Sequence, residues 1–429
     1  MKKTLRFVLF GLLAVVITTC VAAALIARFT LAPAAGEWQT RIKLGPVDFD
    51  VSVPSAIRVA TSPWFAPWLD GRSLDTRFGT LHLAWNDSVG ALELRCAPCS
   101  ASVPAVGAAP IRLDRLTATV RRDGNALAGT LEAAPSANAG AAGSGSGSGL
   151  GATLLRGNWD GRLTPKSLPI NVDLPDAPIA LWYAVLAPAL PELQHARIGG
   201  TLAMRGQFTL PAGTFALQPR IAQFTVEGLG TESMLGARTS CGAPARLAND
   251  SWLARAVIAA EDQRFFTHTG YDLTELTASV DSNQKSGQVE RGGSTLTQQL
   301  ARLLVTGSDR TAERKLRELL YAVEMEQTLG KARILQLYLD NAPWGTDLCG
   351  ADAAAKRYFK RSAAKLEPAQ AVWMAAMLTN PQVAVEKWQR DGSIDAARAK
   401  WVAEGVRGVT RFQRDALLKS VATAKFAPP

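Results

Sequence analysis

The sequence predicts an α+β multidomain chain: an N-terminal transmembrane helix, a β-rich exported domain and a mostly α-helical C-terminal domain. Three observations predict it. A charge-free apolar run follows a basic start, period-two patterning fills the middle, and the texture turns helical after Asn249-Asp250. A chain of 429 residues is long enough for two or three domains, and 47% hydrophobic residues allow large cores.

Met1-Lys2-Lys3-Thr4-Leu5-Arg6 is basic, and positions 7–27 then carry no charge. That is about 21 residues, enough for one helical span of a bilayer. Lys2, Lys3 and Arg6 hold the N-terminus in the cytoplasm, so the rest is exported. Ala22-Ala23-Ala24 imitates a signal-peptidase site, but the apolar run exceeds the usual signal-peptide length. Residues 1–30 are therefore read as cytoplasmic start and anchor, with Cys20 inside the span. The net charge of +10 suits nucleic acid, an anionic membrane surface or an anionic substrate. Export removes nucleic acid from that set.

From 36 to 240 the pattern is β-like. Thr80-Leu81-His82-Leu83-Ala84-Trp85 alternates polar and apolar. Leu116 to Arg121 and Ala126 to Glu132 flank Arg122-Asp123-Gly124-Asn125, a hairpin signal, and Gly200 to Leu210 with Thr214 to Leu217 reads as another. These strands predict an antiparallel sheet with one apolar face. Positions 137–151 are rich in Gly and Ser and read as a flexible loop inside the domain. Pro178 to Leu193 reads as a short helix on the sheet. The exported cysteines are Cys96, Cys99, Cys241 and Cys349, which favour structural disulfides in an oxidising compartment. Three connectivities are possible; a local Cys96–Cys99 loop would leave Cys241 with Cys349.

Residues 245–429 read as helices with short loops. Asp250 is a candidate N-cap, and Leu253, Ala256, Val257 and Ala260 form an apolar stripe that leaves Glu261 and Asp262 at the helix end. After Gly292-Gly293, Ser294 can cap a second helix, with Thr295, Gln299 and Arg302 on one face and Leu296, Leu300, Leu303 and Leu304 opposite. Amides at such a start favour an anion. In a third block Arg314 and Glu318 share a face, and Leu316, Leu319, Leu320 and Val323 form the core stripe. Singly, each block suits an ordinary helix end, capped turn or surface pair. Their order and spacing together are specific.

The blocks resemble the glycosyltransferase domain of peptidoglycan polymerases, family fifty-one, found in monofunctional transglycosylases and class A penicillin-binding proteins. Glu261-Asp262-x-x-Phe265-x-x-His268-x-Gly270 matches the first motif, Gly292-Gly293-Ser294-Thr295-x-Thr297-Gln298-Gln299-Leu300-x-Arg302 the second, and Arg314-Lys315-x-x-Glu318 the third. Arg333 to Leu339 resembles the fourth, and Ala353 to Phe359 with Glu367 to Pro381 the fifth. The likeness covers about 245–390. The chain departs from the family at Leu303 (usually Asn), Gln336 (usually Glu) and Asp340 (usually Asn).

The resemblance implies a lysozyme-like glycosyltransferase domain that polymerises lipid II into glycan strands, with inversion and release of undecaprenyl diphosphate. It implies two catalytic carboxylates, Glu261 as general base and Glu318 among the cations. Asp262, Phe265, His268, Ser294, Thr295, Gln298, Gln299, Arg302, Arg314 and Lys315 are then expected to bind substrate or shape its pocket. The resemblance fixes no cofactor and leaves metal dependence open, with Glu318 holding either these cations or a divalent cation, Mg or Mn. Expected partners are lipid II, the inner membrane and other cell-wall synthesis proteins. Ser362-Ala363-Ala364-Lys365 fits Ser-x-x-Lys, but no Ser-x-Asn or Lys-Thr-Gly follows, so no transpeptidase is encoded. Two alternatives remain at this stage: a lytic glycan-cleaving enzyme, and a non-catalytic envelope protein that binds precursor or lipid.

Overall fold

The computed structural model describes residues 18, 29–44, 47–101, 111–135, 154–286, 292–309 and 311–428. The expected span at 7–27 lies, Thr18 apart, outside these residues, as does the Gly/Ser loop. Among the described residues no helix is long and apolar enough to cross a membrane.

A hairpin, β1 (Gln39–Leu44) and β2 (Val47–Ser52), runs into α1 (Val53–Ala60). The strands that follow are β3 (Ser73–Thr76), β4 (Gly79–Asn86), β5 (Ala91–Cys96), β6 (Cys99–Ala101), β7 (Ile111–Leu113), β8 (Arg115–Asp123) and β9 (Ala126–Ala134). They continue as β10 (Leu155–Arg162), β11 (Leu168–Pro178), β12 (Arg197–Leu210) and β13 (Thr214–Glu227). Nine of them form one antiparallel sheet whose order is the chain order, with β6 and β7 pairing apart as a small excursion. Each strand turns back on its predecessor, as alternating sequences with tight turns dictate. The hairpin at Gly124-Asn125 pairs Asp123 with Ala126, and that at 211–213 pairs Thr209 with Thr214. Burial alternates along β10 and β13, so one face of the sheet is covered.

What covers it is α2 (Ile179–Leu186), apolar throughout because both its sides are buried. Leu181, Trp182 and Val185 pack with Ala133 and Leu155. Ile179 and Tyr183 pack with Phe224, Val226, Leu320 and Val323. The last two belong to the helical half, so sheet and helices share a core.

That half comprises α3 (Trp252–Glu261), α4 (Leu273–Ser286), α5 (Leu296–Ala301), α6 (Ala312–Thr328), α7 (Gly330–Asn341) and α8 (Ala351–Phe359). It continues with α9 (Pro368–Met377), α10 (Pro381–Asp391), α11 (Ala396–Gly405) and α12 (Arg411–Thr423). The expected stripe on α3 is buried together with Leu296, Leu300 and Met325. Two caps fall one residue later than the sequence suggests. Ser251, not Asp250, caps α3 by accepting from the Ala254 amide, because the Asp250 side chain points into solvent. Thr295, not Ser294, caps α5 in a reciprocal box with Gln298, which frees Ser294 for another partner. At the outer edge of the sheet Gln284 of α4 acts as a surrogate strand. Its Oε1 accepts from the Phe215 amide at 3.3 Å and its Nε2 donates to the Phe215 carbonyl at 3.1 Å.

Two disulfides form: Cys96–Cys99 closes a tight loop, and Cys241–Cys349 ties the segment before α3 to the hairpin β14 (Pro343–Gly345) and β15 (Leu348–Cys349). The second crosslink spans 108 residues. A loop of that length restricts the unfolded chain strongly, so replacing Cys241 and Cys349 with Ser is expected to cost about 2–5 kcal/mol. Denaturant unfolding of the oxidised protein and the double variant is the check; coincident midpoints would refute the assignment.

Candidate active site

Glu261 is the last residue of α3, and its side chain is largely buried. Burial raises its pKa above the usual carboxylate value, while the Gln299 hydrogen bond and the Arg398 and Arg302 charges pull it back down. Gln299 of α5 donates to Oε2 at 3.0 Å, and the Tyr338 hydroxyl of α7 donates to the Gln299 oxygen at 3.0 Å. Those two bonds fix which end of the amide faces the carboxylate. The other oxygen, Oε1, lies 3.5 Å from the Arg398 guanidinium of α11. Arg398 is itself held by the Ala260 carbonyl at 2.7 Å and by the Trp401 ring at 4.4 Å.

The neighbouring Asp262 faces the opposite way. It is buried, accepts the Leu296 amide at the start of α5 at 2.8 Å, and accepts from His268 Nε2 at 2.9 Å. His268 Nδ1 accepts from the Gly270 amide, which places the ring proton on Nε2. Gly270 has φ +95°, and a Cβ there would sit 2.7 Å from the Ala322 carbonyl oxygen, so only glycine fits. Its own carbonyl accepts from Thr295 Oγ1 at 2.7 Å. Phe265 is fully buried, and the Lys331 ammonium sits 4.4 Å from its ring centre. Lys331 pairs with Glu326, which also accepts from Thr297 Oγ1.

The second centre is on α6. Glu318, 1% exposed, is gripped by Arg314 one turn earlier and by Lys315 Nζ at 2.7 Å. Lys315 also donates to Ser294 Oγ at 2.7 Å. Burial, with the nearby Arg314 and Arg302 charges, pushes the Lys315 pKa down to about 8. Arg302 opens a π-helical stretch, Arg302–Thr306, a distortion that often marks functional sites. It is exposed, and its charge acts on both Glu261 and Lys315. The 292–302 segment thus joins the centres: Ser294 touches the cations, Gln299 touches the carboxylate, and Arg302 acts on both.

The expected residues therefore divide. Glu261, Gln299, Ser294, Arg302, Arg314, Lys315 and Glu318 converge on two linked centres. Asp262, His268, Thr295 and Gln298 are engaged with one another or with backbone, and Phe265 belongs to the core. Arg398, Lys331 and Glu326 escaped the sequence reading. Arg398 is far down the chain from Glu261, and no local pattern connects them. The departures sit elsewhere. Leu303 packs against the core. Gln336 accepts from Arg333, and buried Asp340 accepts the Ala245 amide. Both oxygens of Glu318 face cations, and among the described residues no group of three or more His, Cys, Asp or Glu could hold a metal ion.

Residues 246–407 match the family described as Transglycosylase. A biosynthetic peptidoglycan transglycosylase of Thiobacillus denitrificans is 44% identical over 137 residues, 32% of this chain and 58% of that protein. One from Alcanivorax borkumensis is 43% identical over 151 residues, 35% of this chain and 61% of the relative. One from Methylobacillus flagellatus is 41% identical over 146 residues, 34% and 64% respectively. The chain thus spans about three-fifths of these curated relatives, and the family match lies in the helical half.

Lys315 gives a prediction with a definite sign. It is charged below its pKa of about 8 and neutral above it. Affinity for farnesyl diphosphate is expected to fall as pH rises past that value, displaced upward by the bound anion. In Lys315→Arg the affinity should stay level, because guanidinium does not titrate there. Calorimetric titration from pH 7 to 10 tests it; parallel curves for both proteins would defeat the role given to Lys315.

Proposed function

We propose that this protein is a membrane-anchored peptidoglycan glycosyltransferase that polymerises lipid II. The observation that carries this is the pairing of a buried, raised-pKa carboxylate, Glu261, with the separate cation cluster Arg302, Arg314 and Lys315, joined by one short segment. Glu261 takes the proton from the 4-hydroxyl of the acceptor sugar as that oxygen attacks the anomeric carbon of the donor. The new bond forms as the bond to the diphosphate oxygen breaks. The electron pair leaves on undecaprenyl diphosphate, and configuration inverts. Fixed cations stabilise the charge that develops on the leaving group. A divalent ion at Glu318 would have to displace Arg314 or Lys315.

The apolar run at 7–27, preceded by Lys2, Lys3 and Arg6 and followed at once by Arg28 alone, supports a single-pass bacterial inner-membrane location with the N-terminus in the cytoplasm. Two disulfides support a periplasmic bulk. Lipid II and the membrane are the partners this reading requires, and other cell-wall synthesis proteins are natural neighbours. A lytic enzyme on finished, phosphate-free glycan would have no use for the cation cluster. A non-catalytic precursor binder would have no use for an oriented base.

Incubating the detergent-extracted protein with labelled lipid II should yield polymer, and Glu261→Gln should reduce it by at least about 10²-fold. Cleavage of phosphate-free strands without polymer from lipid II would overturn the reading in favour of a lytic enzyme. Turnover should rise with pH as Glu261 ionises. Arg398 lowers the pKa of Glu261 and so favours its ionised form, so Arg398→Gln should shift the acid limb of the pH profile to higher pH. An unmoved limb would show that Arg398 does not act on the base.

A further inference from the structure

The helix that carries Arg314, Lys315 and Glu318 on one side is gripped on its other side by the sheet region. Successive residues of an α-helix are turned by about 100°, which places Leu316, Arg317, Leu320, Val323 and Glu324 away from the charged trio. Every one of these has a partner outside the helical half. Leu320 and Val323 are buried against Ile179, Tyr183, Leu193, Phe224 and Val226. The Tyr183 hydroxyl, wholly enclosed, donates to the Leu316 carbonyl at 3.0 Å. Glu192, 2% exposed, accepts from both Nε and a terminal nitrogen of Arg317 at 2.7 Å. Glu324 accepts the Leu229 amide at 2.7 Å and the Thr231 amide at 3.3 Å, while Thr231 and Thr328 join their hydroxyls at 2.8 Å.

This is more than two domains touching. A buried Glu–Arg pair costs desolvation and gives little net stability. What it supplies is direction, since two fixed donors of one planar guanidinium converge on a single carboxylate oxygen, Oε1. Leu316 and Arg317 lie between Lys315 and Glu318 in the chain, so fixing them fixes the rotation and height of the charged trio. We propose that Glu192 and Tyr183 are positioning residues, through which the sheet region sets the placement of the cation cluster that receives the diphosphate. The inference rests on the polymerase reading for its substrate, but the clamp itself can be tested without turnover.

The test uses the full chain and two variants, Glu192→Gln and Tyr183→Phe. Three quantities are read: thermal midpoint, kinetics on lipid II across pH, and affinity for farnesyl diphosphate. Displacing fixed groups by a fraction of an ångström lowers turnover, and by that scale each variant should lose about 3- to 10-fold in kcat with little change in KM. Turnover is expected to fall at alkaline pH as Lys315 loses its charge, and this alkaline limb should also move, because the spacing of Lys315 to Arg314 and Glu318 changes. Farnesyl diphosphate should bind more weakly. A purely structural role would lower the midpoint and leave the limb in place. Should Glu192→Gln fail to fold, Tyr183→Phe decides, since it removes a single oxygen. Folded variants with wild-type kcat, limb and diphosphate affinity overturn the proposal. A wild-type protein that makes no polymer defeats the functional reading instead, and diphosphate affinity then still judges the clamp.

Discussion

The arrangement depends on the buried carboxylate of Asp262. One of its oxygens takes both the Leu296 amide and His268 Nε2. Hydrogen bonds to a charged group contribute about 1.5–3 kcal/mol each, and the first also sets an anion at the N-terminus of α5, where the helix dipole favours it. The mechanical result matters more. The end of α3 is locked to the start of α5, so Gln299, one turn into α5, is delivered to Glu261. Without Asp262 the proposed base and the amide that orients it would have to be held together by their own hydrogen bond. Gly270 and Thr295 complete the joint by closing the loop between them.

The second centre follows a different logic. Glu318 with Arg314 and Lys315 is a carboxylate among three cations if Arg302 is counted, so the site remains net positive after internal pairing. Stability does not call for such a group, since an apolar helix face would pack as well. Its effect is to hold ammonium and guanidinium groups partly stripped of water, in fixed positions. An arriving anion then meets charges that need no reorganisation. The depressed pKa of Lys315 reflects first the burial of its ammonium and then the repulsion from Arg314 and Arg302.

Much of this was legible in the sequence because it is local. Strand alternation and Gly-bearing turns placed both hairpins, and the apolar stripe on α3 is buried as its period requires. The charged trio was legible because i and i+4 on a helix must share a face. The caps at Ser251 and Thr295 were misplaced by one residue, because adjacent Asp-Ser and Ser-Thr pairs offer two equally good acceptors and tertiary contacts choose between them. Arg398, Lys331 and Glu192 were not legible at all. Each acts on a residue distant in sequence, and a lone charged side chain carries no signal of its future partner. The stripe on α6 was read correctly as core, but nothing in its spacing says that the core is shared with a sheet begun two hundred residues earlier.

The surrogate bond pair of Gln284 bears on how a large meander survives in a crowded compartment. A nine-stranded sheet has two rims, and an unpaired rim is a template on which another chain can add a strand. At β13 that template is spoiled: α4 and α6 lie against it, and one side-chain amide satisfies the Phe215 peptide as a neighbouring strand would. At the opposite rim β3 is only four residues long and wholly exposed, too short to seed a stable pairing. Each strand finds its partner in the segment just made, so the sheet can zip up in order of emergence with few long loops to close. The helices that guard one rim arrive last, which makes their docking the step that seals the sheet.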